Sequence, residues 1–208
     1  MIMLLTILTL FIGGLVAWSI EAWNKDLPRW ISVGTCIIAS ILIATLYFQP
    51  TQQELMLAGV SSTWYEVLSI PWIPRFGIGF VLAIDGLSLL MVSLTLFLGF
   101  IAILSSWDEI DRRPGFFQFN LMWTLAGVVG VFVALDLFLF FFFWEVMLIP
   151  MYLLIAIWGH ENKAYAAMKF FLFTQVSGLI MLVAILALVL GVAGTGAPLT
   201  FNYFDLMG

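Results

Sequence analysis

One carboxylate lies within an otherwise apolar stretch of this chain. The stretch from Leu137 to Gly159 holds 23 residues and a single charged side chain, Glu145. As a helix it is roughly 34 Å long, which is enough to cross a bilayer core of about 30 Å. A charge in such a span costs roughly 2.5–3.5 kcal/mol on insertion scales, so an intramembrane carboxylate commonly serves a function such as proton relay.

Two interpretations of Glu145 remain open from the residues alone. The side chain lies about eight residues, roughly 12 Å, from the outer end of its span, so it reaches neither interface. It can load and release a proton in a relay, or it can stay protonated and hydrogen-bond to a neighbouring helix as a packing contact. Pro150 donates no N–H to the carbonyl of Val146, which predicts a local break that admits water or a polar neighbour.

The composition indicates a polytopic membrane protein in a lipid bilayer. The chain has 208 residues, of which 64% are hydrophobic and 9% charged, and its mean hydropathy is +1.17. Soluble domains carry about 25% charged residues. The single cysteine, Cys36, excludes an intrachain disulfide and a Cys-rich iron–sulfur site, and the single histidine has no ligand cluster around it, so no metal is expected. The chain has no basic run for nucleic acid.

Hydropathy predicts an all-α fold with about six transmembrane helices. A long connection, 49–77, is predicted between the second and third spans, with an amphipathic piece around Trp64 to Ile70 along the membrane surface. Asp85 fits a helix cap near the start of the third span. Ala126, Gly130 and Ala134 form a small-residue stripe that predicts close helix packing. The predicted helices are 2–20, 30–48, 78–107, 116–135, 137–159 and 168–192.

The basic residues predict an orientation. Six of the seven lie in or beside three connections on one side, and only Arg75 lies opposite. Since basic residues accumulate on the cytoplasmic side, the N-terminus and the 49–77 connection are predicted to be extracytoplasmic. The protein is expected as a multi-pass protein of the cell inner membrane. The six are Lys25, Arg29, Arg112, Arg113, Lys163 and Lys169.

Lys169 and His160 are weaker candidates for a proton relay. Lys169 begins the sixth span, where it either snorkels to the cytoplasmic surface or extends into the bundle as a relay cation. His160 can gather protons for the relay, or it is simply a solvated loop residue. Thr174, Gln175 and Ser177 follow in the sixth span, as water-holding groups of a proton path or as ordinary interhelical hydrogen-bond groups.

Several motifs resemble one family of membrane proteins. They resemble the antiporter-like membrane subunits of proton-pumping NADH–quinone oxidoreductase, respiratory complex I, of the subunit M or chain 4 type. The stretch with the Trp-Glu-x-x-Leu-x-Pro run is the most specific of them. The motifs are Phe143 to Tyr152, Ile84 to Ser88, Trp158 to His160, Ala164 to Phe171 and Thr174 to Gly178.

The resemblance implies a function and a larger assembly. Family members have about fourteen helices with two inverted repeats, so this chain is expected to be the N-terminal portion, as a fragment, a truncated product or one piece of a split subunit. Glu145 matches a glutamate in a line of buried charges that modulates the proton affinity of a lysine on the seventh helix. As a translocase subunit, the chain is expected to couple quinone reduction elsewhere to proton transfer. Flavin and iron–sulfur clusters are expected in partner subunits of the membrane-bound complex, with no cofactor in this chain.

Two other functions remain open. Subunits of multisubunit sodium–proton antiporters and of membrane-bound hydrogenases share the glutamate and the helix pattern, although Trp144 and the Pro150 to Tyr152 run favour the quinone-linked enzyme. A non-transporting scaffold fragment is the other alternative. It predicts that Glu145 can be neutralised without loss of coupling.

Overall fold

The apolar segments form six long α-helices. The computed structural model describes residues 1–48, 53–57 and 60–207. In this part of the chain, six helices are long and apolar enough to cross a membrane by length and composition. The predicted all-α membrane fold is confirmed. The helices are α1 (Ile2–Ile20), α2 (Leu27–Tyr47), α3 (Gly86–Ser105), α4 (Pro114–Val133), α5 (Leu137–Trp158), α6 (Lys163–Ala193) and the short α7 (Tyr203–Met207).

Two antiparallel hairpins lie between α2 and α3. Strands β1 (Gln53–Leu57) and β2 (Val60–Trp64) form the first hairpin, and β3 (Glu66–Ile73) and β4 (Ile78–Ile84) form the second. The third helix therefore does not begin at residue 78, as the sequence predicted. An unbroken apolar run does not distinguish a buried strand from a helix, so the prediction merged β4 with α3.

The other boundaries also differ in detail. Helix α3 begins after Asp85, whose Oδ1 accepts a hydrogen bond from the Ser88 N–H at 2.8 Å, so the predicted cap is confirmed. Helix α2 begins three residues earlier than predicted, with Pro28 in its first turn, where a missing N–H costs nothing. Helix α6 begins at Lys163 rather than at residue 168.

The predicted amphipathic piece around Trp64 to Ile70 forms strand, and its location along the membrane surface stays a prediction. Most of it belongs to β3, whose backbone groups are paired with β4. Trp72 of the same strand packs against Phe138 and Phe142, with ring centroids 6.2 and 5.7 Å apart. Residues 49–52 and 58–59 of the predicted connection lie outside the described residues. Its extracytoplasmic location stays a prediction.

Helix α4 is the centre of the packing. It contacts α1, α2, α3 and α5. Helices α1 to α4, which we call the α1–α4 bundle, share one apolar core, and residues of α5 lie at its margin. Gly130 belongs to the predicted small-residue stripe, and a Cβ at this position would lie 2.3 Å from the Phe143 ring. The absence of a side chain there allows α5 to lie close against α4. Helix α6 packs in turn on α5.

The connection between α4 and α5 is held on both sides. The Leu135 N–H donates to the Val81 carbonyl of β4, and the Leu137 N–H donates to the Phe201 carbonyl of the C-terminal segment, both at 2.9 Å. The Phe201 N–H donates in turn to the Gly77 carbonyl at 3.1 Å. These bonds fix the start of α5, the helix that carries Glu145.

Candidate functional site

Glu145 lies on the side of α5 that faces α6. Its Oε2 accepts a hydrogen bond from Nε2 of Gln175 at 2.9 Å. Its Oε1 is buried and has no hydrogen-bond partner in the part of the chain that the structure describes. Burying a carboxyl oxygen without a partner costs free energy, so this oxygen has an unmet capacity to accept a hydrogen bond.

Gly178 brings α6 close to this carboxyl group. A Cβ at this position would lie 2.5 Å from Glu145 Oε1 and 3.8 Å from Cδ1 of Trp144, so any larger residue would displace the carboxylate. Gln175 and Gly178 are three residues apart and therefore share one face of α6. Gln175 contacts one oxygen of the Glu145 carboxyl group, and Gly178 lies beside the other.

Helix α5 continues through Pro150. The sequence predicted a local break after Glu145, but α5 runs from Leu137 to Trp158 with Pro150 buried inside it. Such a continuous helix is tolerated when neighbouring helices pack around the proline. Glu145 therefore sits on a regular helix, and its position is set by the helix start at Asp136 and by α6.

Asp136 fixes that helix start. It is fully buried, and its Oδ1 accepts from the N–H groups of Phe138 and Leu139 at 2.9 and 3.0 Å. Its Oδ2 accepts from the Gly79 N–H of β4 at 2.8 Å. Burial raises the pKa of the Asp136 carboxyl group more than these three hydrogen bonds lower it. The side chain thus joins the second hairpin to α5.

The structure does not bring Lys169 or His160 to Glu145. Lys169 is exposed, and its ammonium lies over the Tyr165 ring, 5.3 Å from the centroid. His160 is exposed in the turn between α5 and α6. Their roles in a relay stay predictions. Among the described residues, no three His, Cys, Asp or Glu side chains lie together as a metal site would require.

The close approach of Gly178 to Glu145 was not predicted from the sequence. Gln175 was predicted as a polar group of the sixth span, but its direct bond to Glu145 was not. The available signal was a polar residue and a glycine three residues apart, and therefore on one face, in the sixth helix. The rotation of α6 about its axis, which brings this pair toward α5, is set by packing and is not readable from hydropathy.

Comparison with known proteins identifies sequences similar to this chain. Residues 134–207, which include Glu145, Gln175 and Gly178, match the transmembrane family described as NADH:quinone oxidoreductase/Mrp antiporter. The chain is 51% identical over 206 residues to NADH-quinone oxidoreductase subunit M of Escherichia coli K12, covering 97% of this chain and 40% of that protein. It is 50% identical to subunit M of Pseudomonas aeruginosa, covering 97% and 41%. The chain thus spans about two fifths of the length of these curated relatives.

Solved structures share the fold. Respiratory complex I from Thermus thermophilus with bound NADH contains a chain that matches with a TM-score of 0.78 and 26% identity, over 99% of this chain and 38% of that one. A chain of the Mrp complex from Dietzia sp. DQ12-45-1b matches with a TM-score of 0.75 and 18% identity, over 91% and 20%. At that identity the second match shows a common fold only.

Proposed function

We propose that this chain takes part in proton translocation by an NADH–quinone oxidoreductase. The proposal rests on two findings: the chain belongs to the family of antiporter-like membrane subunits, and it matches the N-terminal part of subunit M. In this role, redox chemistry takes place in partner subunits that carry flavin and iron–sulfur clusters. The chain itself supplies buried groups that exchange protons within the membrane arm.

One observation carries the proposal. Glu145 is the single ionisable carboxyl group of a membrane-spanning helix, and a neutral amide from the next helix holds it. A lysine or arginine partner would favour the charged form strongly, whereas an amide can hydrogen-bond both the charged and the neutral form. The site therefore suits a group that gains and loses a proton.

The distribution of cations supports an orientation in the inner membrane. Lys25, Arg112 and Lys163 mark three turns between successive helix pairs, and all three turns lie on one side of an alternating six-helix arrangement. Because basic residues accumulate on the cytoplasmic side, we propose that this side faces the cytoplasm and that the N-terminus is extracytoplasmic. Proton transfer through Glu145 would then connect the two sides in combination with other membrane-arm subunits.

The experiment uses Glu145→Gln in the assembled complex in sealed vesicles. Gln keeps the size of the side chain but removes its titration. Glu161→Gln, in the exposed turn after α5, is the matched control. NADH oxidation and proton uptake are measured together, and a native gel checks assembly.

We expect Glu145→Gln to assemble while oxidation and proton uptake both collapse, with Glu161→Gln unchanged. Normal rates and a normal ratio of protons to NADH in Glu145→Gln would contradict the proposal and favour the scaffold interpretation. A requirement for sodium in the wild-type complex would instead favour a sodium–proton antiporter.

A further inference from the structure

We infer that Gln175 and Gly178 form a cradle on α6 that positions the Glu145 carboxyl group in both of its protonation states. The inference rests on the proposed function, because a positioning role requires that Glu145 exchanges a proton. Neither residue exchanges a proton itself. Both act through the position of the Glu145 oxygens.

Gln175 provides a partner before and after protonation. With Glu145 charged, the amide Nε2 donates to Oε2, as the structure shows at 2.9 Å. When a proton adds to Oε2, this oxygen becomes a donor and needs an acceptor. A half-turn of the amide about its last side-chain bond replaces the N–H group with the amide oxygen, which accepts from the new O–H. The same side chain thus satisfies both states without any change in the distance between the helices.

Gly178 directs the proton to the oxygen that faces Gln175. Because Oε1 lies where a side chain at residue 178 would begin, it is covered by the backbone of α6. No hydrogen-bond partner for Oε1 is present among the described residues. A proton on Oε1 would therefore be a buried donor without an acceptor, which is unfavourable. The proton is bound more favourably at Oε2, beside the amide.

No charged group competes with this neutral cradle in the described part of the chain. Helix α4 has no ionisable side chain between Pro114 and Val133, and α5 adds only Tyr152, seven residues after Glu145. The ionisable residues of α6, which are Lys163, Tyr165 and Lys169, all lie six or more residues before Gln175. The Gln175 amide is therefore the described group that a substitution can remove from Glu145 without altering a charge.

Infrared difference spectroscopy of the assembled complex tests the cradle directly. The carboxyl stretching bands of Glu145 are assigned by their loss in Glu145→Gln. Gln175→Met keeps a side chain of similar length but removes the amide, and Gly178→Ala pushes against Oε1. The controls are Thr195→Ala, which removes an exposed hydroxyl in the turn after α6, and Gly191→Ala, where a Cβ meets nothing within 4 Å.

We expect the Glu145 bands to shift in Gln175→Met and in Gly178→Ala, and to stay in place in both controls. Coupled turnover should fall roughly tenfold or more in Gln175→Met, as expected when a hydrogen bond to a charged group is lost. A native gel confirms that each variant assembles.

Unshifted Glu145 bands in both cradle variants would overturn the inference, whatever happens to proton uptake. Shifted bands with normal coupled turnover would also overturn it, since the contact would then have no positioning role. Failure of the proposed function is separate, because it is detected as normal proton uptake in Glu145→Gln.

Discussion

The α1–α4 bundle and the α5–α6 pair differ in what holds them together. Half of the most apolar window of α4 is buried, compared with 17% of that of α6. The bundle is held mainly by a shared apolar core, whereas the contact between α5 and α6 contains the candidate site, with the hydrogen bond between Gln175 and Glu145. The candidate site therefore lies outside the apolar core that stabilises the α1–α4 bundle.

The separation has a physical reason. Apolar helices in lipid are held by close van der Waals packing, and a tightly packed core permits little change of charge or position. A carboxyl group that gains and loses a proton needs a neighbour that tolerates both states. The Gln175 amide is such a neighbour, and it lies at the margin of the bundle, where the proposed change of charge at Glu145 would lie outside the shared core.

The largest expected effect comes from the core of the bundle. Leu10 of α1 is fully buried, whereas Leu8 of the same helix is 43% exposed. Leu10→Ala should lower the free energy of unfolding by about 2–4 kcal/mol, because it leaves a cavity that its neighbours fill only partly. Leu8→Ala is the matched control and should change stability little. Thermal unfolding in detergent measures the stability of both variants. Equal losses in the two variants would contradict the buried position of Leu10 in the core of the bundle.

A smaller effect is expected where the two regions meet. A Cβ at Gly130 would lie 2.3–2.6 Å from atoms of the Phe143 ring, so Gly130→Ala forces α4 and α5 apart. We expect a loss of about 1–3 kcal/mol, typical of overpacking. Gly34→Ala in α2, where a Cβ meets nothing within 4 Å, is the control and should be neutral or slightly stabilising. Thermal unfolding that ranks Gly34→Ala as the more damaging change would contradict the packing described.

The smallest effect concerns the pH dependence at Asp136. Because its folded-state pKa is raised, this group favours the folded state most below the ordinary pKa of an aspartate. That contribution is lost as the pH rises through the raised pKa. The difference in melting temperature between wild type and Asp136→Asn should therefore fall with rising pH over this window. A difference that grows with rising pH would show that hydrogen bonding to the charged form dominates instead.

The six spans, and Glu145 as a candidate site residue, could be predicted because both depend on the composition along a single helix. A 20-residue apolar run and a lone carboxylate within it can be recognised without knowing which helices are its neighbours. The second hairpin was missed because β4 is apolar without a period that distinguishes strand from helix. The bond between Gln175 and Glu145 was missed because it depends on the rotation of α6 against α5, which only packing determines.

The most direct test of the account compares the stability and the proton uptake of Glu145→Gln with those of Leu10→Ala. Both variants are measured in the same vesicles by thermal unfolding, NADH oxidation and proton uptake, and the two rates are normalised to the amount of assembled complex. We predict that Glu145→Gln keeps a melting temperature close to that of Leu8→Ala while oxidation and proton uptake both collapse, and that Leu10→Ala loses stability but keeps its ratio of protons to NADH. A melting temperature of Glu145→Gln as low as that of Leu10→Ala, with normal rates of oxidation and proton uptake, would show that Glu145 is a packing contact and would contradict the account.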